Sequence, residues 1–245
     1  MHTNRILRKK QLLFLMAISS LFFIAHAWGD SCHPAMNKHE RQYLIGYGSL
    51  IETESKNRTY SHTGKNIPVR LEGFQRGFFA KGTPTGFSTT YLGVLEEEAA
   101  KMNGVFFELL ATHSMAAFDK REAYYCREAV NRNKIHSLIN TPLPQGQYWI
   151  YVSTKDSIVK PSEKYPLVQS YVDIFLNGCL EIQDQYKLPT YASDCITTTT
   201  DWSVDWVNDR IYPRRPFIYE KNAGKIDKLL SEKLPNYFNQ IKIES

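Results

Sequence analysis

Two short stretches of this chain carry residue types that could do chemistry. The first is Glu122. If residues 115–129 form a helix, a step of about 100° per residue groups Met115, Phe118, Tyr125, Cys126 and Ala129 in one apolar stripe, with Glu122 near its centre. Lys120, Arg121 and Glu128 then point to solvent. A carboxylate on a buried face loses hydration, so its pKa rises unless it is paired, and it becomes suited to accepting and returning a proton near neutrality. A structural ion pair with Arg76 or Arg127 is the competing expectation. The second stretch is Tyr47-Gly48-Ser49-Leu50, preceded by Gly46. Glycines on both sides of Tyr47 let the main chain approach a ligand closely. Consecutive N–H groups of Gly48, Ser49 and Leu50 could then hold a carboxylate or an oxyanion. Taken alone, a plain strand-ending turn accounts for the same residues.

Other chemistries lack their parts. The turn has neither the spacing nor the Gly-Lys-Ser/Thr ending of a nucleotide-binding P-loop. Ser49 has no identifiable His and Asp partners. His33, His39, His62, His113 and His136 show no metal-ligand spacing, so no metal site is expected.

These residues must be positioned by a largely β framework. Tyr43–Tyr47 is a β-prone run that stops at Gly48. Val69–Phe79 reads as a strand broken by bends at Gly73 and Gly77, and Gln147–Ser153 as a later strand. Thr89–Leu95 and Val105–Leu110 read as two strands joined by a loop over Glu96–Gly104. Helices are expected at Met115–Ala129, Leu167–Tyr186 and Lys225–Lys233, with an irregular stretch from Thr190 to Pro216. The fold class is therefore α+β, a mixed sheet or small barrel with helices packed outside it.

Charge and leader narrow the function further. The 245 residues carry 30 Lys+Arg against 25 Asp+Glu, a net of +5. Arg5, Arg8, Lys9 and Lys10 lie in residues 1–27, which hold no acid; removing those four leaves 26 basic against 25 acidic residues. The near-neutral body argues against a nucleic-acid partner. Residues 1–27 read as a signal peptide: a basic start, an apolar run Leu12–Ala25 too short to span a bilayer, and Ala25-His26-Ala27 for cleavage. An uncleaved anchor is the alternative. Trp28-Gly29-Asp30-Ser31 before Cys32 does not suit a lipoprotein site. The expected location is exported, periplasmic or secreted, with the membrane met only through the transient leader. There Cys32, Cys126, Cys179 and Cys195 can form disulfides in three full pairings. Cys179 with Cys195 is preferred, since closing that loop is worth about 3 kcal/mol; buried free thiols are the alternative.

Taken in order, Gly46-Tyr47-Gly48-Ser49-Leu50, Gly73-Phe74-x-Arg76, Tyr91-Leu92-Gly93-Val94, Gly104-Val105-x-Phe107 and Phe118-Asp119-x-Arg121-Glu122-x-Tyr124 resemble the γ-glutamylcyclotransferase superfamily. The likeness runs from Tyr43 to Val130 and continues through Trp149. It implies a small mixed β-barrel with flanking helices over residues 43–160, after an N-terminal segment at 28–42. It also implies an enzyme, without metal or organic cofactor, that cyclises the γ-glutamyl group of glutathione or of γ-glutamyl amines to 5-oxoproline. By this resemblance Glu122 is the catalytic acid/base, and Tyr47, Gly48, Ser49 and Leu50 form the substrate loop. Tyr47, Tyr124 and Tyr125 are candidate phenolic donors at its rim, with Tyr125 assigned to substrate binding. A catalytically silent relative that binds a small γ-glutamyl ligand or a protein partner is the other reading. Residues 161–245 read as a C-terminal extension packed on the same domain, with Trp202, Trp206, Asp209, Arg210, Arg214 and Arg215 in it. Its arginines are expected to pair with Asp201, Asp205 and Asp209, or else one of them recognises a second substrate carboxylate.

Overall fold

Strand β1 (Gln42–Gly46) is buried at every position after Gln42. Its sequence, Gln-Tyr-Leu-Ile-Gly, tolerates this because the residues alternate between two apolar clusters, one on each face of the sheet. Tyr43 and Ile45 join Phe106, Tyr148 and Ile150 in the larger cluster. Leu44 joins Phe107, Trp149 and Tyr151 in the smaller one. In the computed structural model the described residues are 32–82, 89–111, 113–215 and 220–243. The leader expected at 1–27 lies outside them.

After β1 come α1 (Thr53–Thr59), β2 (Ile67–Gly82), β3 (Thr89–Glu108), α2 (Ser114–Arg121), β4 (Tyr125–Val130), β5 (Ile135–Ser137) and β6 (Gln147–Ser153). The chain continues through β7 (Leu167–Val168), α3 (Gln169–Tyr186), α4 (Tyr191–Thr197), β8 (Thr199–Thr200), β9 (Trp206–Asn208), α5 (Ala223–Lys233), α6 (Pro235–Phe238) and β10 (Lys242–Ile243). The main sheet is mixed, in the order β4-β6-β1-β3-β2-β5, with β8 added alongside β2. β1 lies antiparallel to β3 and parallel to β6. Among the described residues no pairing joins β4 to β5, so the α+β class holds while the ladder is that of an open sheet. A second, small sheet runs β10-β9-β7.

Helices cover both faces. Met115 and Phe118 of α2 complete the smaller cluster. Tyr171, Val172, Phe175 and Cys179 of α3 and Tyr191, Ala192 and Cys195 of α4 enter the larger one, so the C-terminal part of the chain shares its core with the sheet. Disulfides join Cys179 to Cys195, tying α3 to α4, and Cys32 to Cys126, tying the N-terminal segment to β4. The first of these is the preferred pair.

Three element readings are corrected. The helix expected to reach Ala129 stops at Arg121, with Glu122 as its C-terminal cap. Tyr125–Val130 instead pairs antiparallel with β6, from Tyr125 opposite Ser153 to Val130 opposite Tyr148. Ladder pairing and the Cys126 disulfide override an apolar spacing that also fits a helix. Second, no loop separates Thr89–Leu95 from Val105–Leu110, because β3 runs through the charged segment. The ladder shifts register there, from Glu72 opposite Lys101 to Phe74 opposite Glu96, and Glu97 and Glu98 are carried outward on the bulge between them. Third, the stretch from Thr190 contains helix α4, held by its disulfide and its buried Tyr191, Ala192, Cys195 and Ile196.

Candidate active site

The chain leaves β1 and turns at residues 47–50, closed by the N–H of Ile51 donating to the carbonyl of Gly48 at 3.0 Å. No acceptor among the described residues takes the N–H of Gly48, Ser49 or Leu50. Two neighbours fix the turn. The fully buried Arg76 of β2 donates from Nη1 to the carbonyl of Tyr47 at 3.1 Å and to that of Asn103 at 2.8 Å. It also binds Thr199, Cys195 and Thr198. With no carboxylate partner, burial pulls its pKa down to about 10. Helix α3 approaches from the other side. A Cβ on Gly178 would lie 2.5 Å from the backbone nitrogen of Glu52, so only glycine lets the helix touch the chain just past the turn. Gly48 is constrained by a single atom, since a Cβ there would stand 2.9 Å from the Tyr171 hydroxyl at the end of its side chain.

Glu122 faces this turn from the end of α2. Its side chain is 16% exposed, and Oε1 forms an ion pair with Arg121, 3.0 Å from Nε. Burial raises the carboxyl above the usual carboxylate range, while the charges of Arg121 and Arg215 oppose that rise. Arg121 was expected to point to solvent, yet its side chain is only 19% exposed. It donates to Ser49 Oγ at 2.8 Å, to the Ser55 carbonyl at 2.8 Å and to Thr59 Oγ1. One guanidinium thus joins the carboxylate, the turn and α1. The early end of α2 explains this, because the arginine lies in the last helical turn and folds back toward α1. Neither expected partner binds Glu122. Arg76 is engaged as described, and Arg127 pairs with Asp119 at 2.9 Å while stacking over Trp149.

Tyr47, Gly48, Ser49, Leu50, Leu92, Glu122, Tyr125, Tyr151 and Tyr171 line one pocket of about 30 Å³. Glu122 and the five residues assigned to substrate binding, Tyr47, Gly48, Ser49, Leu50 and Tyr125, therefore meet in one place. The interior takes a water-sized group, so a larger ligand needs the rim side chains to move. Tyr125 donates to the Leu92 carbonyl at 3.1 Å, and Tyr151 donates to Asp119 at 2.7 Å. Burial holds the Tyr47, Tyr125, Tyr151 and Tyr171 phenols above their ordinary pKa, so all four stay protonated near neutrality. Tyr124 is 52% exposed and does not line the pocket. A larger cleft of about 570 Å³ lies between α1, α3 and α5, but its Asp173 and Arg210 are already paired with one another. The chemistry points to the smaller pocket.

A solved γ-glutamyl cyclotransferase matches 77% of this chain and 99% of its own length, with a TM-score of 0.51 at 15% identity. It carries a γ-glutamylcyclotransferase-like fold. An uncharacterized protein from Homo sapiens matches over 67% of this chain and 92% of its own, with a TM-score of 0.50 at 16% identity. The sequence matches no family model and no curated protein.

Within this γ-glutamylcyclotransferase-like fold, sequence reasoning missed Tyr151 and Tyr171 and placed Arg121 in solvent. Tyr151 alternates with Ile150 and Val152 on β6, and the pleat places it on the Glu122 face. Tyr171 lies in a helix whose first eight residues are all buried, so no local pattern singles it out. The arginines of the extension are also reassigned. Arg210 binds Asp173 and Asp227, both at 2.8 Å, and ties α5 to α3. Asp209 is buried and accepts from the N–H and hydroxyl of Ser170 and from the N–H of Arg214. The expected pairing of Arg210 with Asp201, Asp205 or Asp209 is thus replaced by pairing to the helices.

Proposed function

We propose that this chain is an exported γ-glutamylcyclotransferase that converts a γ-glutamyl compound to 5-oxoproline and releases the amine. The observation that carries the reading is the placement of a largely buried, singly paired carboxylate, Glu122, in one pocket with a turn whose N–H groups lack acceptors among the described residues. The chemistry needs few parts. Ionised Glu122 accepts a proton from the substrate's α-ammonium. The freed amine attacks the γ-carbonyl carbon within the same molecule, where holding the arm folded supplies a large proximity effect. The new C–N bond closes the five-membered ring, and negative charge develops on the carbonyl oxygen. N–H groups of Gly48, Ser49 and Leu50 are suited to receive that oxygen or the α-carboxylate. Collapse breaks the original C–N bond as protonated Glu122 returns its proton to the leaving nitrogen, and the second proton lost by the ring nitrogen passes to the released amine, which departs as an ammonium ion. No side-chain nucleophile takes part.

Arg121 supports the cycle by keeping Glu122 oriented toward Ser49 and partly offsetting its loss of hydration. Export is supported by the leader pattern and by two disulfides. A small mixed β-barrel as the form of residues 43–160 belongs to the same proposal. The test is 5-oxoproline release from glutathione and from a panel of γ-glutamyl amino acids and amines. Release from at least one is expected. Binding of the panel without release would identify a silent relative of the same fold.

A further inference from the structure

We propose that Arg215 recognises a carboxylate on the amine half of the substrate, so that γ-glutamyl amino acids or peptides are taken in preference to γ-glutamyl derivatives of uncharged amines. The inference rests on the cyclotransferase reading above. Arg215 comes from the C-terminal extension, yet it is held against the pocket. Its N–H donates to Ser170 Oγ at 3.2 Å, and the next residue, Tyr171, lines the pocket. Its guanidinium lies 5.1 Å over the ring of Tyr91, which packs against Tyr171 with ring centroids 4.8 Å apart. Its charge is felt by Glu122, Tyr125 and Tyr171.

This arginine is unlike the others around it. Arg76, Arg121 and Arg210 spend their donors on protein acceptors, and Arg127, whose Nη1 is also buried without a partner, is paired with Asp119. Arg215 forms no ion pair with a carboxylate among the described residues, and its Nε is buried without a hydrogen-bond partner. A buried donor left without an acceptor is unfavourable and rare. A planar guanidinium with unused donors is suited to a carboxylate, which it can grip through two parallel hydrogen bonds.

The charges of the glutamyl arm already have counterparts. Glu122 faces its ammonium, and the N–H groups at Gly48–Leu50 suit its α-carboxylate. A further cation at the pocket edge therefore calls for an anion that the glutamyl arm does not carry. The amino acid released on cyclisation supplies one. Ser170, bonded to Arg215, also lines the 570 Å³ cleft, so a substrate longer than a dipeptide has space to continue.

The test compares wild type, Arg215→Met and Arg215→Lys on γ-glutamylglycine and γ-glutamylethylamide, which differ in the carboxylate. Two readouts are taken: kcat/KM for 5-oxoproline release, and Kd by calorimetry for the same two compounds in a Glu122→Gln background. Wild type should prefer γ-glutamylglycine. Arg215→Met should lower that preference about 10- to 100-fold in both readouts, and Arg215→Lys should restore part of it. Equal losses on both compounds would overturn the proposal, leaving Arg215 as a tuner of Glu122 or a tether of the extension. A lost binding preference without turnover in any variant would uphold Arg215 as a carboxylate site and refute the cyclotransferase reading. Absence of binding to either compound would overturn both.

Discussion

Gly48→Ala gives the sharpest check on how the turn is built. The added methyl would stand 2.9 Å from the Tyr171 hydroxyl oxygen, whereas its other neighbours, Leu92 Cβ and Cδ1, are at an ordinary 3.6 Å. The clash is therefore with one atom. Relieving it requires a shift of about 0.5–1 Å, shared between the turn and the first turn of α3. Donors that stabilise an oxyanion act at about 2.7–3.1 Å, and a misplacement of about 1 Å costs about 100-fold in rate. We therefore expect Gly48→Ala to lower kcat/KM for 5-oxoproline release about 100-fold while lowering stability by only about 1–2 kcal/mol. Tyr171→Phe removes the obstructing oxygen. A double-mutant cycle should show Gly48→Ala costing about tenfold less in the Tyr171→Phe background than in wild type, a coupling of about 1.4 kcal/mol. The assay is steady-state release of 5-oxoproline by the four proteins, with urea unfolding of each as a control. Wild-type kcat/KM in Gly48→Ala, or identical losses in both backgrounds, would refute the reasoning.

Arg76→Met should lower the unfolding free energy by about 2–4 kcal/mol, because the Tyr47 carbonyl and the Asn103 amide lose buried charged donors; urea denaturation within 0.5 kcal/mol of wild type, on the order of a surface substitution, would contradict it. Replacing Cys179 and Cys195 together with alanine should cost about 3 kcal/mol, from the separation of 16 residues, read by the same denaturation under non-reducing conditions. The pH profile should have an acid limb set by Glu122. Burial raises its carboxyl and the reaction begins from the ionised form, so kcat/KM should fall on the acid side with an apparent pKa above that of free glutamate. The matching stability effect has the opposite sense: a raised carboxyl favours the folded state below its unfolded pKa, and that contribution is lost as pH rises through the folded value. Wild type should thus lose stability relative to Glu122→Gln across that window, as followed by denaturation at several pH values.

Much of the site was legible because its parts are short and contiguous. Gly46-Tyr47-Gly48-Ser49-Leu50 announces a strand running into an unencumbered turn, and β1 does run into that turn at Tyr47. Glu122 stood out as a charge among apolar neighbours, although the reason offered was only half right. It lies at the end of a helix and not on a helical face, and Tyr125, Cys126 and Ala129 owe their apolar character to a strand paired with β6. A spacing of three and four residues over so few positions fits both structures, and only partners distant in sequence, Cys32 and Val152, settle it. The same cause hid Arg121, whose direction depends on where α2 ends. Tyr171 reaches the pocket, and Arg215 comes to lie beside it, through the packing of α3 and the extension, a long-range consequence that no local pattern encodes.

The central claim is that Glu122 moves the proton that makes cyclisation possible. It is tested most directly by measuring 5-oxoproline release from γ-glutamyl substrates by wild type and by Glu122→Gln, with both shown to be folded by their unfolding transitions. The account predicts turnover by wild type and none by the folded Gln variant, whose amide is nearly isosteric with the carboxylate and cannot accept the ammonium proton. Turnover by Glu122→Gln at a rate near that of wild type would contradict it.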